Sequence, residues 1–167
     1  MKTSLPYCSN DKAIKGYAES TLAKKEKNDC VVRSLASAFN IPYEDSHEYV
    51  RKMFHRQNRQ GTRNFVYVMN ALFDNGEKIG KKRFKPLGVR ERLMNKYSLV
   101  YDVKVNGEKV KRKMTVGTFI SKHKKGSYVL TVNGHAFTVK DGVVIGNTDD
   151  AMKKKKILTD AWKVLSR

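Results

Sequence analysis

The chain has little of what staples or anchors a protein. Its two cysteines, Cys8 and Cys30, form no CxxC pair, so neither a disulfide framework nor a zinc site is indicated. No apolar run approaches the roughly 18 residues that cross a bilayer. The opening MKTSLPYCSNDK has no apolar stretch to act as a secretory h-region. These absences predict a protein of a reducing, cytoplasmic compartment with no membrane partner. Acidic residues are also scarce, 16 Asp and Glu against 35 Lys and Arg, for a net charge of +19. That balance favours polyanionic partners such as nucleic acid or an acidic protein, or else a solvated surface that keeps a small chain dispersed. No HExxH or paired-carboxylate spacing surrounds His47, His55 or His123, which read as surface residues. Asp149-Asp150 is a weak cation signal, and neither a metal nor a cofactor is expected.

What is present fits one domain: 167 residues suffice for an ordinary core. Residues 1–27 are polar and weakly periodic and read as an extended basic segment leading into a fold that occupies 28–167. In CVVRSLASAF, Val31, Leu35, Ala38 and Phe39 make the stripe of a core-packed helix that opens at Cys30, with Asn28 or Asp29 as its cap and Asn40 as its stop. Pro42 precedes a second, amphipathic helix with acidic residues in its first turn. FVYVMNALF at 65–73 predicts a short helix, although its β-branched and aromatic content also suits a strand. Residues 75–97, rich in Gly, Lys and Arg, read as loop. Asn106-Gly107 between two alternating runs predicts a hairpin, and Thr115 a capped short helix. Strands follow at 127–132, 135–140 and 143–147. The final ILTDAWKVL reads as an edge strand or a helix, with Trp162 as a core anchor or, beside Lys153, Lys154, Lys155 and Lys156, as a stacking platform for a nucleobase.

The Asp141-Gly142 turn carries the most information. A two-residue type I′ connection pairs Lys140 with Val143, Thr138 with Ile145 and Ala136 with Asn147. His135 and Asn147 become diagonal neighbours on facing strands. Cys30 at a helix start has the unpaired N–H groups that stabilise a thiolate. His135 can take or share its proton, and Asn147 can accept from the second ring nitrogen and fix the tautomer. The Cys30 N–H, with Asn28 as the nearest upstream amide, would complete an oxyanion hole. Singly, each residue has a plainer structural explanation: a small core thiol, a satisfied strand histidine, a turn asparagine. Their order and shared geometry point to thiol chemistry.

Asn28-Asp29-Cys30-Val31-Val32-Arg33-Ser34-Leu35-Ala36, Gly134-His135-Ala136 and the Asp-Gly hairpin ending in Asn147-Thr148-Asp149 together resemble the papain-like cysteine peptidase superfamily. Within it, the chain is most similar to small phage and bacterial proteins related to the double-glycine leader peptidases of bacteriocin exporters. The resemblance implies a papain-like α+β fold, a Cys-bearing helix packed on an antiparallel sheet. It also implies Cys30 as nucleophile, His135 as base and Asn147 as orienter, with Asp149 competing for that role. The family's upstream Gln has no counterpart here, Lys24 standing six residues before Cys30, so Asn28 or a lysine takes its place. Ovarian-tumour-type deubiquitinases share an Arg three residues after the Cys, as Arg33 is, but their upstream Asp-Gly is not matched. The implied activity is a cysteine peptidase or amide hydrolase on a protein or peptide substrate, acting in the host cytoplasm if phage-encoded. The alternatives are a nucleic-acid-binding protein that keeps the fold without the chemistry and a protein that binds an acidic host partner.

Overall fold

A computed structural model describes residues 5–93 and 96–165, and its architecture is α+β. One sheet has six strands: β1 (Tyr7–Ser9), β2 (Phe84–Pro86), β6 (Ser127–Val132), β7 (His135–Lys140), β8 (Val143–Gly146) and β9 (Asp160–Val164). Their spatial order is β1-β8-β7-β6-β9-β2, and only the β1–β8 pair is parallel. A second sheet, in the order β3-β4-β5, comprises β3 (Val89–Leu93), β4 (Lys96–Val105) and β5 (Glu108–Lys113). The helices are α1 (Asn10–Ala13), α2 (Thr21–Lys25), α3 (Cys30–Phe39), α4 (Tyr43–Met53), α5 (Phe65–Asp74), α6 (Val116–Lys122) and α7 (Thr148–Ala151).

The six-stranded sheet is buried on both faces, because alternate residues of a strand point to opposite sides. Val129, Ala136, Trp162 and Val164 join Val32, Leu35, Phe39, Val50 and Met69 of the α3–α4–α5 layer in one core. Leu130, Phe137, Val139, Val144 and Ala161 pack with Phe119, Leu99, Met114 and Leu158 in the other. Helix α3 is also tied to β7 by hydroxyls: Ser37 Oγ donates to Thr138 Oγ1 at 2.8 Å, and Thr138 Oγ1 donates to the Ser34 carbonyl at 2.8 Å. Such fully satisfied buried polar contacts fix the height of the helix on the sheet. α3 ends at Asn40, which takes the left-handed conformation (φ 55°) that terminates helices.

The helices expected at 30–39, after Pro42 and at 65–73 all form, as do both two-residue hairpins. Asn106 and Gly107 (φ 52° and 81°) and Asp141 and Gly142 (φ 49° and 79°) have the paired positive φ of type I′ turns. Thr115 caps α6, its hydroxyl accepting from the Thr118 N–H at 3.2 Å.

Several expectations change or narrow. Residues 7–25 do not form an extended lead-in but supply β1, α1 and α2, with Ile14 only 2% exposed in the core. The stretch 75–97 is not wholly loop, for β2 and β3 lie within it. β9 is a strand as foreseen but an interior one, between β6 and β2. Trp162 is buried at 1% exposure, its indole N–H donating to Asn70 Oδ1 at 3.0 Å, so it anchors the core and offers no face to a nucleobase. His47 is likewise buried and not a surface residue.

Candidate active site

Cys30 and His135 meet. The thiol sits at the first position of α3 and the imidazole at the first residue of β7, the strand against which α3 packs, close enough that each favours the charged form of the other. The orienting group is neither Asn147 nor Asp149 but Asp150, whose Oδ1 lies 2.6 Å from His135 Nε2. With Nε2 committed to the carboxylate, Nδ1 is the ring nitrogen left for the thiol.

The reason for this correction is local. β8 ends at Gly146, so the hairpin does not continue to an Ala136–Asn147 pair. Asn147 instead becomes the N-cap of α7. Asp150, three residues on, turns its carboxylate back, and Oδ2 accepts the Asn147 N–H at 2.9 Å, half of the reciprocal arrangement that a capping box uses. That backward turn carries Oδ1 to the imidazole. Asp149 lies exposed one residue earlier. Asn147 Oδ1 accepts from Arg33 Nη1 at 2.8 Å and from Asn10 Nδ2 at 3.3 Å, so it joins the rim of the site. The signal that could have found Asp150 was the spacing Asn147-x-x-Asp150, a cap and its third helical residue.

Charge is concentrated and largely dry. The Asp150 side chain is 2% exposed and that of His135 24%. The hydrogen bond to Asp150 is the main force raising His135 to about 9, aided by the thiol and opposed by burial. For Cys30, burial pushes the thiol pKa up, but His135, the Ala136 N–H and the Arg33 guanidinium together outweigh it and hold the thiol below its ordinary value. Asp150 is also held low, the His135 and Lys153 cations and the Asn147 N–H overcoming its burial. All three shifts favour the charged forms, thiolate, imidazolium and carboxylate, of neighbouring groups.

Asn28 does not serve the site. It has a positive φ of 54° and its Nδ2 donates to the Arg59 carbonyl at 3.3 Å. The buried amide beside the thiol is Asn10, which sequence reasoning missed: at 6% exposure it shares a small cleft with Cys30, Arg33, Ala136, Gly146 and Asp150. The parallel pairing of Ser9 with Gly146 carries it there, and nothing in the polar string SNDK marks it. A larger open depression, lined by Arg51, His55 and Arg56 among others, holds no nucleophile. Of the lysines 153–156, Lys153 pairs with Asp150 at 3.1 Å, while Lys154 and Lys156 accept from Gly117 and Val116 through their carbonyls.

Gly146 is required by this geometry. A Cβ there would collide with the Asp150 carboxylate, which cannot withdraw without breaking its bonds to His135 and the Asn147 N–H. Gly146→Ala is therefore expected to move the half-maximal pH of Cys30 alkylation upward, read from rates of iodoacetamide labelling; an unchanged profile would show that Asp150 is not held where its bonds place it.

No protein-family model, curated protein or solved structure matches the chain.

Proposed function

We propose that the protein is a cysteine hydrolase of papain-like arrangement that cleaves peptide or amide bonds through Cys30, His135 and Asp150. The observation that supports this most is His135 bridging a thiol at a helix N-terminus and a buried carboxylate. A structural cysteine needs neither partner. The Cys30 thiolate attacks the substrate carbonyl carbon, and the negative charge passes to its oxygen. N–H groups of the first turn of α3, which have no intrahelical acceptor, and the Asn10 amide receive that oxyanion. As the C–N bond breaks, His135 gives its proton to the leaving amine. The thioester is then attacked by water, His135 takes the water proton, and the acid is released as the thiolate reforms.

The test compares parent and Cys30→Ala chains incubated with a casein peptide mixture, new termini being detected by mass spectrometry. Cleavage by the parent alone is the expected result. Equal cleavage by both, or iodoacetamide labelling that is as fast in Cys30→Ala as in the parent, would overturn the proposal, since Cys8 would then be the reactive thiol.

A further inference from the structure

Asn147 has a place at the site other than the one its position after the hairpin implies. Its Oδ1 is where three elements meet: Asn10 of α1 donates to it through Nδ2 at 3.3 Å and Arg33 of α3 through Nη1 at 2.8 Å, while Asn147 itself caps α7. The bonds run on into the core. Arg33 Nε donates to Asp29 Oδ1 at 3.1 Å, and Asp29 Oδ2 accepts from the Tyr43 hydroxyl at 2.7 Å. Tyr43 is fully buried, and the side chains of Arg33 and Asp29 are only 11% and 9% exposed. A planar guanidinium gripped by a carboxylate holds its remaining N–H groups in fixed directions. Asn147 Oδ1 is therefore pinned by a cation, and the longer contact from Asn10 follows the shorter one from Arg33.

The network ends where charge develops during acyl transfer. Asn10 shares its cleft with Cys30, and the free space there is ≈ 10 Å³, close to the room one oxygen-sized group needs. A carboxamide nitrogen carries two donors. With one committed to Asn147, the second can serve an oxygen in the cleft. A buried donor held in one direction is worth more to an oxyanion than one free to turn, because no reorganisation is needed when the charge appears. The thiolate itself asks for none of this: it is favoured by His135, the Ala136 N–H and Arg33, whereas the Asn10 and Asn147 carboxamides carry no net charge.

We propose that Asn147 is a positioning residue: with Arg33 behind it, its Oδ1 holds the Asn10 amide in place as a donor to the oxyanion formed when Cys30 attacks a carbonyl. This role rests on the hydrolase reading. The experiment separates two kinds of attack by the same thiolate. On a carbonyl, the C–S bond forms as the π pair of the C=O bond moves to oxygen, and that oxygen needs a donor. On iodoacetamide, the C–S bond forms as C–I breaks and iodide leaves, and no oxyanion appears. The fastest-cleaved peptide of the casein mixture, made synthetically, gives kcat and KM for the full-length protein, and iodoacetamide labelling across pH reads the thiolate. Asn147→Ser keeps a side chain that caps helices but lacks the carboxamide oxygen. It is expected to lose roughly 10- to 100-fold in kcat, the cost of a misplaced catalytic group, with KM and the labelling profile nearly those of the parent. Asn10→Leu, of similar shape but with no side-chain N–H, is expected to lose roughly 10²–10³-fold in kcat. Adding Asn147→Ser to Asn10→Leu is expected to cost nothing further, since residues that act through one another do not add. Thermal melts establish that each variant is folded. Additive losses in the double variant, an unchanged kcat in Asn147→Ser, or labelling slowed as much as hydrolysis would each overturn the inference while leaving hydrolysis standing. A parent that cleaves no faster than Cys30→Ala would instead overturn hydrolysis, and this role with it.

Discussion

Replacing Asp150 by Asn is expected to lower hydrolytic turnover by roughly 10²–10⁴-fold, as loss of a carboxylate that fixes a catalytic imidazole does elsewhere, while slowing simple alkylation of Cys30 near neutral pH only about tenfold. The two readouts differ for a physical reason. Without the carboxylate, the largest influence holding His135 at about 9 is gone, and the imidazolium no longer stabilises the thiolate. Each unit by which the thiol pKa rises lowers the thiolate fraction about tenfold below that pKa. The more basic thiolate is intrinsically about threefold more nucleophilic per unit. Alkylation therefore loses only about threefold per unit, whereas hydrolysis also needs the imidazole to deliver and then remove a proton in the correct tautomer. The pH dependence follows from the same shifts. Turnover rises as Cys30 ionises below its usual range, and falls as His135 deprotonates through about 9. In the variant, the basic limb moves down toward the ordinary imidazole value of about 6.5. The pairing's contribution to stability has the same sign. His135 is raised, so that contribution is complete below about 6.5 and is lost as the pH climbs through about 9. Equal loss in the alkylation and hydrolysis assays would show that Asp150 acts on the thiol alone and not through His135.

The elements legible in the sequence were those written in one local pattern. The apolar stripe from Val31 to Phe39 specified α3, and two Asn/Asp-Gly pairs specified both hairpins and so the register that carries His135. The residues that were missed depend on pairing between distant segments. Asn10 reaches the cleft only because β1 adds in parallel to β8, a contact across some 137 positions for Asn10 and Asn147 that no local pattern encodes. β2 and β3 lie in a Lys/Arg-rich stretch whose charge masks strand character, since both are exposed along much of their length. Asp150 was within reach, but the expectation that β8 ran on to Asn147 hid the cap that ends it. His47 read as a surface residue and Glu26 as part of a polar string, because burial of a charged residue is visible only when its partner is.

That last pair sets the largest stability effect. Glu26, in the string KKEK, has a side chain 2% exposed. It accepts from His47 Nε2 at 2.5 Å, from Arg56 Nη1 and Nη2 at 2.8 and 3.2 Å, and from the Arg59 N–H at 2.6 Å. Burial opposes its ionisation, but these donors prevail and lower the carboxyl to about 2. Glu26→Ala leaves the guanidinium of Arg56, itself 2% exposed, without its counterion, so a loss of about 3–5 kcal/mol is expected, read as a fall of roughly 6–20 °C in Tm for a chain of this size. Because the native carboxyl is depressed, its contribution is complete above the unfolded value near 4.5 and is lost as the pH falls toward about 2. The parent should therefore destabilise in that window and the variant much less. The same cluster bears on the nucleophile. Arg56 Nη2 also donates to the Lys27 carbonyl at 3.1 Å, and Asn28 Nδ2 to the Arg59 carbonyl at 3.3 Å, so the turn that delivers the chain to Cys30 hangs from Glu26. A Glu26→Ala, Arg56→Met double variant removes the stranded cation and is expected to recover much of the Tm. Slow alkylation of Cys30 in that recovered chain would show the turn's role in positioning the thiol, and a Tm unchanged by Glu26→Ala alone would refute the buried cluster.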